Sequence, residues 1–170
     1  MKQFKRRLIY MLGFMGSGKT TVGKLLAEEL RWPFIDLDEV IQAGQGVTIR
    51  EIFERAGEPF FRRLEHAALT EASKSEPAVI ALGGGTFVQK PNLDFIGETG
   101  GATIWLDSSL EELRARCAGM NDRPLFRDPE SFAQLYRDRL PYYQLAAFRV
   151  STEGRQPREV VEEILSFGIF

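Results

Sequence analysis

Residues 13–20 read Gly13-Phe14-Met15-Gly16-Ser17-Gly18-Lys19-Thr20, the spacing G-x-x-x-x-G-K-T. That spacing suits phosphate. Glycines let the backbone turn tightly, so that successive N–H groups around Gly16, Ser17 and Gly18 point at one anion. A helix starting at Lys19 offers its positive end to the same charge. Lys19 supplies a mobile point charge for the β- and γ-phosphates of a nucleoside triphosphate, and Thr20 can place its hydroxyl on Mg2+. A glycine turn before an ordinary helix is the plain alternative. A buried strand before the loop and an amphipathic helix after it favour the nucleotide.

Further candidates lie downstream. Asp36 and Asp38 fall on one side of an extended chain, at the carboxyl end of a strand, where open parallel sheets bind ligands. Two carboxylates there could hold Mg2+ through water and accept a proton from a substrate hydroxyl. Equally, Asp38 could cap a helix beginning at Glu39. Arg62 and Glu65 are i and i+3 on a helix and can pair, leaving a guanidinium fork suited to a carboxylate or merely a surface ion pair. Gly83-Gly84-Gly85 follows a buried strand, where backbone can approach a ligand closely, although a plain loop fits too. Asp107 ends another apolar strand, like a metal-binding carboxylate, but Ser108 and Glu111 look like a capping box, so Asp107 is read as structural. His66, the one histidine, is read as packing or surface, and Cys117 as an inert small residue.

These side chains need a scaffold, and the chain alternates accordingly. Apolar runs at 8–12, 33–37, 79–82, 102–106 and 148–151 read as strands. Helical spacing covers 19–30, a segment opened by a Thr48/Glu51 capping box, 58–73, 108 to about 117, 129–147 and 157–167. Strands apolar on both faces and separated by helices predict a parallel sheet covered on both sides, a three-layer α/β/α domain. Residues 118–129 are polar, with glycine, asparagine, aspartates and prolines, and read as an exposed, mobile loop carrying Arg123. With 170 residues, a single domain is expected over 1–170. The charge balance, 22 basic against 24 acidic, gives no positive excess for nucleic acid or anionic lipid. After residue 90 every basic side chain is an arginine, interspersed with acids. One cysteine points to a reducing, cytoplasmic setting. The apolar stretch 8–15 runs into Gly16 and Lys19 with no small-residue cleavage site, so no secretory leader is read there. No run approaches the roughly 20 apolar residues of a membrane span.

Together the glycine loop, Asp36-Leu37-Asp38, Gly57-Glu58…Phe61-Arg62-x-x-Glu65, Leu82-Gly83-Gly84-Gly85, Arg123-Pro124-Leu125 and Arg139…Tyr142 resemble the shikimate kinase family over nearly the whole chain. The resemblance implies a P-loop NTPase fold of the nucleoside-monophosphate-kinase type, with five parallel strands and a mobile lid at about 118–129. It implies transfer of the γ-phosphate of ATP to the 3-hydroxyl of shikimate, in aromatic amino-acid biosynthesis; a monomer in the cytoplasm is expected. Gly16, Ser17, Gly18, Lys19, Thr20 and Thr21 would hold ATP, Thr20 and Asp36 the Mg2+. Asp38 would orient the nucleophile. Arg62 and Arg139 would clamp the shikimate carboxylate, with Glu65 orienting Arg62. Gly83, Gly84 and Gly85 would contact the ring, and Phe53 and Phe61 would wall it. Arg123 would reach the phosphates, Arg116 would stack on adenine, and Arg155 and Gln156 would assist. Rival readings are a kinase of another hydroxylated metabolite such as gluconate, a nucleoside monophosphate kinase, and an inactive nucleotide-binding regulator.

Overall fold

Five short strands make one sheet: β1 (Leu8–Leu12), β2 (Phe34–Asp36), β3 (Ala78–Ala81), β4 (Ala102–Asp107) and β5 (Phe148–Ser151). The structure is a computed structural model that describes residues 7–118 and 128–170. All strand pairs are parallel, in the order β2-β3-β1-β4-β5. β1, β3 and all but the last residue of β4 are buried throughout, as a sheet covered on both faces requires.

Alternation along β1 splits the core. Leu8, Tyr10 and Leu12 join one layer, with Ile80 and Trp105, while Ile9 and Met11 join the other, with Val79, Ile104 and Leu106. The second layer is closed by α1 (Lys19–Leu30) and α7 (Pro157–Ser166), through Val22, Leu26, Val160 and Ile164. The first layer is closed by α3 (Ile49–Ala72), α4 (Lys90–Thr99), α5 (Leu110–Cys117) and α6 (Pro129–Tyr143), through Leu69, Ile96, Leu113 and Phe132. A further helix, α2 (Leu37–Gln45), packs with α3 around Ile41, Ile52 and Phe61. Each fully buried side chain of Leu or Ile size contributes about 1.5–3 kcal/mol of transfer free energy. Among the described residues no helix is long and apolar enough to cross a membrane.

The three-layer sheet matches the expectation, and several boundaries differ. The helix α4 and the 3-10 turn Thr86–Val88 before it were not anticipated. The second strand stops at Asp36, because the Asp36 side chain accepts from the N–H groups of Asp38 and Glu39 and starts α2 at Leu37. Asp36 and Asp38 therefore do not share one side of a strand. The cap of α5 is Ser109, which accepts from Glu112 N–H, one residue later than the Ser108/Glu111 pattern suggested. Helix α6 ends at Tyr143 rather than 147, since Ala147 N–H turns away to Thr103 Oγ1 on β4 (2.8 Å). In α3, the Thr48/Glu51 capping box is present, and Gly57 (φ 79°, ψ 171°) kinks the helix before Glu58. A side chain with a Cβ would be strained there.

Candidate active site

The order of strands reverses at β1, and the loop leaving β1 opens the crevice where α/β sheets bind ligands. Gly16 (φ 79°) and Gly18 (φ 96°) adopt left-handed backbone, and Gly18 caps α1 with no side chain in the way. Lys19 Nζ donates to the carbonyls of Gly13 (2.9 Å) and Phe14 (3.0 Å), which holds the ammonium across the loop. Ser17 is buried, and its hydroxyl is the one buried side-chain polar atom without a hydrogen-bond partner among the described residues.

Thr20 Oγ1 donates to Asp36 Oδ2 at 2.6 Å, while Asp36 Oδ1 caps α2. The hydroxyl keeps its lone pairs, and the carboxylate beside it is fixed at both oxygens. This hard-oxygen pair fits Mg2+, which takes one or two protein ligands and completes its shell with water and phosphate oxygens. Asp38 sits in the first turn of α2, and its carboxylate lies against Gly83, where a Cβ would stand 2.9 Å from Oδ1.

The glycine turn after β3 is where the separate segments converge. A Cβ at Gly84 would meet Arg139 Nη1 at 2.9 Å. One at Gly85 would meet both Arg62 guanidinium nitrogens at 2.8 Å and Arg139 Nη2 at 3.0 Å. The three glycines thus make room for the protein's own charged side chains, a role beyond the ligand approach expected of them. Arg62 donates to Glu65 Oε2 (2.9 Å) and to Glu58 (2.9 Å). Burial works against its charge, but Glu65 and Glu58 more than offset this and raise its pKa. Burial pushes the Glu65 carboxyl up, Arg62 and Thr86 oppose that, and the nearby charge of Asp38 adds to it. Arg139 is only 6% exposed and has no acidic partner among the described residues; its guanidinium lies 5.6 Å from the Phe14 ring centre. Tyr143, fully buried one turn beyond Arg139, donates its phenol proton to the Gly84 carbonyl. Burial pushes that phenol up to about 12.

One cavity of about 810 Å³ is lined by the loop residues Gly16 to Thr21, by Asp36 and Asp38, by Arg62, Glu65 and Arg139, and by all three glycines. Phe53 and Phe61, 4.8 Å apart at their ring centres, form part of its wall. Arg116 and Arg155 line the other end with Thr152 and Pro157. Arg116 is held there by the Gly16 carbonyl (3.2 Å), the Thr152 carbonyl (3.0 Å) and Glu112. Arg155 is tied to the Ser151 and Glu159 carbonyls. Gln156 does not line the cavity. It caps α7, its N–H held by Glu159 Oε2 at 2.7 Å. Asp107 is likewise outside, bound twice by Arg149 at 2.9 and 2.6 Å, in keeping with a structural role. His66 bonds to Asn92 (2.7 Å) and Cys117 is buried beneath Gly16. Arg123 and most of the 118–129 loop lie outside the described residues.

Sequence reasoning missed Tyr143, Thr86 and Asn92. Tyr143 could have been found from its i, i+4 spacing to Arg139, which places both on one face of α6. The other two carry no local signal.

The shikimate kinase family profile matches residues 15–168. The shikimate kinase of Persephonella marina is 42% identical over 160 residues, covering 94% of this chain and 97% of that one. The solved structure of a shikimate kinase from Acinetobacter baumannii in complex with shikimate superposes with a TM-score of 0.91 at 34% identity, covering 95% of this chain and 92% of that one. A gluconokinase from Sinorhizobium meliloti reaches a TM-score of 0.59 at 21% identity, covering 97% and 92%, which is a likeness of fold alone. With matches of this extent laid over a glycine loop, a paired aspartate and two converging arginines in one cavity, the chain belongs to the shikimate kinase family of ATP-dependent phosphotransferases.

Proposed function

We propose that this chain transfers the γ-phosphate of ATP to the 3-hydroxyl of shikimate, in the cavity between the glycine loop and the Gly83–Gly85 turn. The observation that carries the reading is Arg139: a buried guanidinium with no acidic partner among the described residues, set beside Arg62. A substrate carboxylate supplies the missing charge, in the bidentate geometry that guanidinium favours.

The division of labour follows. Backbone N–H groups of the loop and the end of α1 hold the triphosphate. Lys19 places its charge at the β- and γ-phosphates, where charge spreads in the transition state. Thr20 and Asp36 would hold Mg2+, which when bound neutralises phosphate charge. Asp38 accepts a hydrogen bond from the attacking hydroxyl, aims it at the γ-phosphorus and takes its proton as the bond forms. Arg62 and Arg139 fix the other end of the ring, so that the hydroxyl is delivered in line. Arg116 and Arg155 flank the adenine end, and Arg123 completes the charge around the phosphates. The lack of a positive charge excess supports small-molecule substrates rather than nucleic acid, and the single buried cysteine fits a reducing, cytoplasmic setting.

An ADP-release assay over shikimate, quinate, gluconate, AMP and CMP tests this. Turnover is expected with shikimate far above the rest. Preference for gluconate or for a nucleotide would overturn the assignment.

A further inference from the structure

Glu65 orients Arg62 with one oxygen only. Its Oε2 accepts from Arg62, and its Oε1 accepts from the Thr86 hydroxyl at 2.6 Å. Glu65 is 1% exposed and Thr86 fully buried, so water does not compete for this bond. The terminal torsion of a glutamate is intrinsically broad. Without a second fixed contact the carboxylate plane would turn, and Oε2 would leave Arg62.

Thr86 is itself locked from three directions. Its N–H donates to the Gly83 carbonyl (3.1 Å), and its carbonyl accepts from Asn92 Nδ2 (3.0 Å). Asn92, 1% exposed, meets His66 Nδ1 through Oδ1 at 2.7 Å. Since an amide oxygen can only accept, His66 carries a proton on Nδ1. The bonds run Glu65, Thr86, Asn92, His66 and close through the backbone of α3, where Glu65 and His66 are neighbours. The circuit fastens the helix bearing Arg62 to the start of the 3-10 turn, directly after the glycines that make room for Arg62 and Arg139.

We propose that Thr86 is a positioning residue for substrate-carboxylate recognition, setting the plane of Glu65 and through it the Arg62 fork. The inference rests on the carboxylate-binding reading of Arg62 given above. Thr86 is fully buried and does not line the cavity, so its effect should pass through Glu65 and fall on the acid substrate.

The test uses the full chain, with kcat and KM measured for shikimate and for ATP in Thr86→Val, Thr86→Ser, Arg62→Lys and the Thr86→Val/Arg62→Lys double variant. Valine keeps the shape and removes the donor; serine keeps the donor. Thr86→Val is expected to raise KM for shikimate about tenfold, the scale of one lost bond to a charged group, with KM for ATP within about twofold. Thr86→Ser should restore the wild-type value. In the Arg62→Lys background the valine should add little, because two residues acting through one contact are not additive. If valine at this site prevents folding, Thr86→Ala, which also removes the donor, should show a shift in the same direction. An unchanged KM for shikimate, an equal rise for ATP, a serine variant as impaired as valine, or full additivity with Arg62→Lys would each overturn the inference while leaving shikimate phosphorylation intact. A wild-type chain inactive on shikimate would instead overturn the functional reading, and this inference with it.

Discussion

The two ends of the cavity are built by opposite strategies. The end proposed to hold phosphate is one contiguous stretch, Gly13 to Thr20, leaving one buried strand and entering one helix. Its donors are chiefly backbone N–H groups, with a single lysine to add charge. The end proposed to hold the acceptor carboxylate is assembled from α2, α3, the glycine turn and α6, through contacts such as Glu65 with Thr86 and Tyr143 with Gly84, 21 and 59 residues apart. Its working groups are buried, charged side chains that need one another. A loop that binds an anion with backbone dipoles can be specified locally. A fork that holds a carboxylate away from water must be compensated by partners from several segments, so it exists only once the sheet has formed.

Breaking the phosphate end should have the largest effect. Lys19→Met is expected to leave a folded chain with less than a few per cent of wild-type kcat, because the charge at the transferring phosphate is lost; circular dichroism and ADP release check both halves. Asp38→Asn should come next. It lowers kcat by about 10²–10⁴-fold, the usual contribution of a positioned proton acceptor, with substrate KM values much less changed. Near-normal kcat there would make Asp38 a structural residue of α2.

The carboxylate end should respond through KM. Arg139→Lys keeps the charge and loses the planar fork, so KM for shikimate should rise by more than tenfold with that for ATP nearly unchanged. Arg62→Lys should show the same split less strongly, since Glu58 and Glu65 remain to hold the ammonium. A rise confined to ATP would move either arginine out of this end.

The smallest effect concerns the pin under the glycine turn. The Tyr143 phenol has a folded-state pKa of about 12 against the ordinary 10.0. The fold therefore binds this proton more tightly than the unfolded chain does. Its stabilising contribution is complete below pH 10 and is lost as pH rises through 12. Thermal unfolding from pH 9 to 12 should show a steeper loss for the wild type than for Tyr143→Phe; parallel slopes would contradict the burial of that phenol.

The same contrast explains what could be read from the sequence. Gly13 to Thr20 was legible because backbone geometry and residue order coincide within one turn. The five strands were legible because continuous burial leaves continuous apolar runs. Asp36 misled, since a residue that ends a strand and caps the next helix has the same spacing to Asp38 as a strand neighbour. The Arg62/Glu65 pair could be read from its spacing, but only the family resemblance gave it and Arg139 a role on the substrate, because local spacing does not separate such a pair from the surface pairs elsewhere on α3. Thr86 and Asn92 stayed hidden, as their partners come from other elements and a buried threonine or asparagine looks locally like any other, whereas Tyr143 left a trace in its spacing to Arg139.

The proposed function turns on two arginines in a buried pocket recognising a carboxylate on the acceptor. It is tested most directly by comparing kcat/KM for shikimate and for its methyl ester at saturating ATP. The ester keeps the ring and all three hydroxyls and removes the charge. A fall of about a hundredfold or more is expected, as buried guanidinium groups lose their counter-charge. An ester phosphorylated as efficiently as the acid would contradict it.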